Sequence, residues 1–125
     1  MKILLTQTES EDYFLNALCN GLHELAGYGI ELDYNEDEFK LSRASLGPNA
    51  PCFEDILLQM LRDGYKLDFI DTESEEITSI TIQDVHNKVQ ETDTRHLMDM
   101  INEQDDSVTA DVILQTVIYG EVIFG

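Results

Sequence analysis

Cysteine, histidine and clustered carboxylates are the residues here whose types could do chemistry. Cys19 and His23 stand four apart on a predicted helix, so both side chains can share a side. A Cys-x-x-x-His pair is a weak metal or thiol signal when nothing accompanies it. A helical wheel puts Cys19 at the margin of the apolar stripe and His23 toward solvent. Cys52 falls at the start of a second predicted helix, the end that favours an anion, but no local motif ties a histidine to it. His86 and His96 lie among Asp84, Asn87, Asp93 and Asp99, with no spacing rule connecting them. No HExxH, CxxC or GxSxG is present. With 26 acids, a carboxylate pair at glycosidase spacing would arise by chance and discriminates nothing. The expectation is a non-enzymatic chain with no cofactor and no dedicated metal site.

One stretch touches on calcium chemistry. Asp33-Tyr34-Asn35-Glu36-Asp37 has the D-x-N-x-D opening of an EF-hand loop. The sixth position should be Gly and is Glu38, and the twelfth should be Glu and is Ala44. Weak calcium binding is therefore a subsidiary alternative.

The carboxylates as a population carry more information. Lys and Arg number 7 against 26 Asp and Glu, a net charge of −19 with a pI near 4.1. Such a charge repels nucleic-acid phosphates and anionic lipid, so direct binding to either is excluded. The basic residues are scattered, and the seven glycines form no phosphate-cradling motif. The acids gather in three places: Asp33, Glu36, Asp37 and Glu38 (with Glu31 just before); Asp71, Glu73, Glu75 and Glu76; and Glu103, Asp105 and Asp106, followed by Asp111. If the first two are adjacent hairpin tips in one sheet, they share an edge and one acidic surface results. Carboxylates so arranged can imitate phosphates and occupy a cationic groove.

The elements that must position these groups follow one grammar of amphipathic helix, glycine stop and strand. Lys2–Gln7 reads as a first strand, too soon interrupted by Glu9, Glu11 and Asp12 to be a signal peptide. Ser10 reads as an N-cap for a helix bearing Phe14, Leu15, Leu18, Leu22 and Leu25, stopped at Gly27. Ile30, Leu32 and Tyr34 alternate with Glu31 and Asp33 as a strand, and Phe39 and Leu41 suggest its return partner. After the linker 47–51 comes a helix with Phe53, Ile56, Leu57, Met60 and Leu61, in which Leu58 departs from the stripe, and Gly64 ends it. Strands through Tyr65–Phe69 and Ile77–Ile82 flank the tip 71–76. Thr81 with Asp84 resembles a capping box, with Val85 and Val89 inward. Helices follow at Thr94–Asn102, presenting Leu97, Met98 and Ile101, and from a Thr109 cap to Gly120; Glu121–Phe124 reads as a last strand.

This predicts a single α+β domain over 1–125, a mostly antiparallel sheet with helices packed on it. Residues 10–46 and 52–89 read as a duplicated helix–hairpin unit, or as the same glycine-stopped pattern arising twice; 109–125 is a C-terminal helix–strand. The final helix is apolar nearly all round, so it is either central or part of a homodimer contact. Cys19 and Cys52 are expected as free thiols in a cytoplasmic protein. The functional expectation is an acidic module that binds a basic protein surface, such as that of a nucleic-acid-binding protein. By physical type it would suit a phage or mobile-element inhibitor or an immunity protein. The alternative is a small structural domain whose acidic loops serve solubility alone.

Overall fold

A computed structural model describes residues 2–49 and 51–125. Met1 of the leading apolar patch and Ala50 of the linker lie outside the described residues. The chain runs α1 (Gln7–Gly27), β1 (Ile30–Asp33), α2 (Glu36–Ser45), α3 (Phe53–Arg62), β2 (Leu67–Asp71), β3 (Ile77–Ile80), α4 (Ile82–Lys88), a 3₁₀ turn (Val89–Glu91), α5 (Thr94–Ile101) and α6 (Ser107–Tyr119). The three strands form one antiparallel sheet in the order β1-β2-β3, giving the α+β architecture.

The sheet packs one face on the helices. Phe69, Leu67, Ile80 and Ile30 join Phe14, Leu18 and Leu25 of α1, Leu57, Met60 and Leu61 of α3, and Ile113, Leu114 and Val117 of α6 in one core. α6 is the central element. Thr109 to Ile118 are buried except for the half-buried Val112. Its all-round apolar character is thus satisfied inside the fold. α1 reaches it closely at Gly21, where a Cβ would lie 3.0 Å from the Ala110 Cβ and from Leu114.

Several local expectations fail for identifiable reasons. Lys2–Gln7 joins no sheet; Thr6 caps α1 instead, its Oγ1 accepting from the Glu9 N–H at 3.1 Å while Glu9 accepts from the Thr6 N–H at 2.9 Å. Thr6-x-x-Glu9 is a full capping box, stronger than the cap expected at Ser10, which is buried within the helix. The return strand through Phe39 and Leu41 is helix α2. Asn35 Oδ1 accepts from the Glu38 N–H at 3.0 Å, Glu36, Asp37 and Glu38 fill the first turn and Arg43 the last, all favouring a helix dipole. No β-branched residue occurs between Glu36 and Ser45 to oppose it. β1 consequently pairs with β2, and the two helix–glycine–strand segments diverge after their strands.

α5 buries Leu97 and Met100, leaving Met98 and Ile101 about two-fifths exposed. Leu58 is buried despite leaving its stripe. Asp106, not Thr109, caps α6, its Oδ1 accepting from the Thr109 N–H at 3.0 Å. Gly120 stops α6 in the left-handed region at φ 80°. Glu121–Phe124 forms no strand. The buried Gln115 side chain supplies the pairing: its Oε1 accepts from the Ile123 and Phe124 N–H at 2.8 and 2.9 Å, and its Nε2 donates to the Phe124 carbonyl at 3.3 Å. No helix among the described residues is long and apolar enough to cross a membrane.

Candidate functional site

Strand register decides which carboxylates meet. Ile30 and Leu32 of β1 turn to the core, Glu31 and Asp33 to solvent. Asp33 stands opposite Asp68 and Glu31 opposite Ile70 across β1–β2; Asp68 stands opposite Ser79 and Ile70 opposite Ile77 across β2–β3. Opposed residues in an antiparallel pair share a face, with Cβ atoms about 4.5–5.5 Å apart. The outer face therefore carries the row Asp33, Asp68, Ser79 beside the row Glu31, Ile70, Ile77.

Two carboxylates directly opposed repel. Asp68 is partly compensated: Ser79 Oγ donates to its Oδ1 at 2.6 Å, and Lys66 Nζ lies 3.7 Å from the same atom. The Lys66 side chain is 64% exposed, so water and salt screen that pair. Asp33 is exposed and has no side-chain hydrogen bond or ion pair among the described residues. Glu38, one residue into α2 beyond Asp37, completes the arrangement. Asp33, Glu38 and Asp68 line a groove of about 320 Å³ with Tyr34, Asn35 and Lys66. Three carboxylates with one exposed amine suit a guanidinium or ammonium group from a partner. Asn35 is committed to capping α2, so the sequence stretch resembling a calcium loop runs from a strand into a helix, with that side chain's oxygen already in use.

The other predicted acids do not join this groove. Gly29 and Thr72 prolong the β1–β2 ladder at its far end, Thr72 donating from both N–H and Oγ1 to the Gly29 carbonyl. The tip carrying Asp71, Glu73, Glu75 and Glu76 is thus at the Ile30 end of β1, while Asp33 and α2 are at the other, roughly 10 Å along the strand. Gly29 is held at φ 83°, with Thr72 Oγ1 3.1 Å from where a Cβ would stand. Within the tip, Asp71 is a turn-former, its Oδ1 accepting from the Glu73 and Ser74 N–H. The third cluster lies at the start of α6. Asp106 caps that helix, whereas the Tyr119 hydroxyl at its end is pushed up by burial and by Asp71 and Glu76. Thirteen residues of helix, about 20 Å, separate Asp106 from that region. The N–H of Thr109 holds the Asp106 carboxyl below its usual range, the mark of a cap. Asp111 is nearly buried and structural, accepting from the Tyr28 hydroxyl at 2.6 Å and the Gln115 amide at 2.8 Å. The three acidic runs thus sit on different elements: a sheet face, a hairpin tip and the start of α6.

Each of the three histidines has a partner. His23 is exposed beside Glu24 at 3.2 Å, His96 Nδ1 lies 3.3 Å from Thr109 Oγ1, and His86 Nε2 lies 2.7 Å from Glu11 Oε2. Arg62 Nε donates to the other Glu11 oxygen at 2.6 Å, tying α1 to α3 and α4. Cys19 and Cys52 are free and exposed. Partial burial, with Glu54 and Asp55 close by, pushes the Cys19 thiol up, away from a reactive thiolate. Among the described residues no group of three His, Cys, Asp or Glu is placed to hold a metal ion.

Sequence reasoning did not connect Asp68 and Lys66 to the Asp33 cluster. Their alternation on β2 was visible, but pairing Asp68 with Asp33 needs the register of strands far apart in sequence. Comparisons with protein-family models, with curated proteins and with solved structures find no match for this chain.

Proposed function

We propose that this chain is a non-catalytic binding module whose outer sheet face receives a cationic patch of a partner protein. The observation that carries the reading is the opposition of Asp33 to Asp68 in a groove shared with Glu38. A chain that needed charge only for solubility would gain nothing by facing two carboxylates across a ladder, where they oppose folding. A partner's Arg or Lys relieves that repulsion on binding. The charge of −19 steers such a partner in from a distance.

The grouping of Asp33, Glu38 and Asp68 in one groove of about 320 Å³ favours a compact cationic patch as the partner. An inhibitor or immunity-type protein that blocks a basic surface fits this geometry. Capture of partners from lysate at low and high salt tests the reading. Partners rich in Lys and Arg, released as salt rises and lost with Asp33→Asn/Asp68→Asn, are expected. Salt-independent capture of neutral partners, unaffected by these changes, would contradict it.

A further inference from the structure

We infer that the partner enters as an extended segment alternating basic and apolar residues, added as a fourth strand along β1. The inference rests on the acidic-face reading above and gives that partner a shape.

Three observations meet at β1. The first is an unpaired edge. Among the described residues, in the order β1-β2-β3, β1 has a strand neighbour on one side only. The Thr72 N–H to Gly29 carbonyl bond makes Gly29–Thr72 a hydrogen-bonded pair, so by alternation Glu31 and Asp33 bond to β2. The Asp71 N–H to Glu76 carbonyl bond fixes the complementary phase on β2–β3, in agreement. The main-chain groups of Ile30 and Leu32 therefore point to the free edge. Ile30 is buried at the closed end, while Leu32 is partly open.

The second observation is an apolar groove of about 450 Å³ beside that edge. Leu22 and Ala26 of α1 and Phe53 of α3 form its rim with Leu32 and Tyr34, over a floor of Phe69 and Leu25. Phe53 remains 39% exposed while its ring lies 5.9 Å from Tyr34 and 5.8 Å from Phe39, a built aromatic wall with an uncovered side. The third is charge. Glu31 and Asp33 project from the opposite face of the same strand, both exposed. A strand laid beside β1 alternates its side chains between these two faces. Its apolar residues enter the groove, and its cationic residues stand beside Glu31 and Asp33. Main-chain pairing at Leu32 supplies register, as in other strand additions to sheet edges.

The test uses a short end-blocked peptide of alternating lysine and valine. The control has the same composition with lysines and valines in separate blocks. Binding is followed by amide chemical shifts and amide hydrogen exchange of the whole chain. The alternating peptide should bind about tenfold tighter than the block control, because only it can fill the groove and pair its main chain together. It should also shift and protect Leu32, and lose that advantage in Ala26→Trp, where a ring on the groove rim obstructs entry. Equal affinity of both peptides, with shifts confined to Asp33, Glu38 and Asp68 and no protection of Leu32, would overturn the strand-addition inference while leaving the acidic-face reading standing; shifts confined to the β2–β3 tip and residues 103–106 would overturn both. Failure of both peptides to bind even at low salt would overturn both.

Discussion

Asp33 and Asp68 face one another across the β1–β2 ladder, and among the described residues only Asp68 has compensating partners, Ser79 and Lys66. This opposition makes a prediction that separates function from stability. Asp33→Asn should raise stability by roughly 0.2–1 kcal/mol by removing a like-charge cross-strand pair. The same change should weaken capture of a cationic partner. Urea midpoints and salt-dependent capture check the two halves. A variant that loses both together would mean Asp33 serves the fold.

Glu11 holds α1 to α3 and α4 through Arg62 and His86. Burial alone would raise its carboxyl, but the hydrogen bonds from His86 and Arg62 prevail and hold it below the ordinary value. A depressed carboxylate contributes stability above its unfolded pKa and loses it as pH falls through the folded one. Glu11→Gln should therefore cost about 1–2 kcal/mol at neutral pH, part of the usual worth of charged hydrogen bonds because Arg62 is 43% exposed. Urea unfolding as a function of pH checks this: the gap between the two proteins should narrow below the ordinary carboxylate range.

Tyr28 donates to Asp111 at 2.6 Å, and that hydrogen bond, aided by burial and the Asp111 charge, pushes the phenol up to about 12. The folded protein retains this proton where the unfolded chain releases it. The contribution is present below the ordinary value of 10.0 and is lost as pH rises toward about 12. Absorbance titration of the five tyrosines should show a last-ionising component, later than those of Tyr13 and Tyr119, that disappears in Tyr28→Phe. The substitution should cost about 1–2 kcal/mol, since Asp111 keeps only its Gln115 donor.

Gly21 lets α1 approach α6. Alanine is the better helix former by about 1 kcal/mol, yet its methyl would stand 3.0 Å from the Ala110 carbonyl carbon and Cβ. Main chain gives way poorly, so overpacking should win. Gly21→Ala is expected to lower stability by about 1 kcal/mol or more, seen as a lower melting temperature. A higher melting temperature would show that α1 and α6 can separate slightly without loss.

Much of the fold was legible because its signals are local. The α3 stripe, the Thr81–Asp84 box and the stops after α1, α3 and α6 depend on residues within a turn or two of one another. The first return strand misled because Phe39 and Leu41 alternate like a strand, while the Asn35 cap and three acids behind it argued helix more strongly. Val122-Ile123-Phe124 has strand-forming composition, but its pairing partner is a side chain, Gln115, which no propensity anticipates. The acidic runs were plain as composition. Their division among a sheet face, a hairpin tip and a helix cap follows from the pairing of β1 with β2, a contact between distant segments.

The most direct test of the central claim compares two charge-matched variants. Asp33→Asn/Glu38→Gln/Asp68→Asn and Glu73→Gln/Glu75→Gln/Glu76→Gln each remove three negative charges, so net charge cannot distinguish them. Measured against a cationic partner captured by the unaltered chain, the sheet-face variant should lose binding while the tip variant keeps most of it. Equal losses, or a greater loss from the tip, would contradict the assignment of the binding surface to the outer face of the sheet.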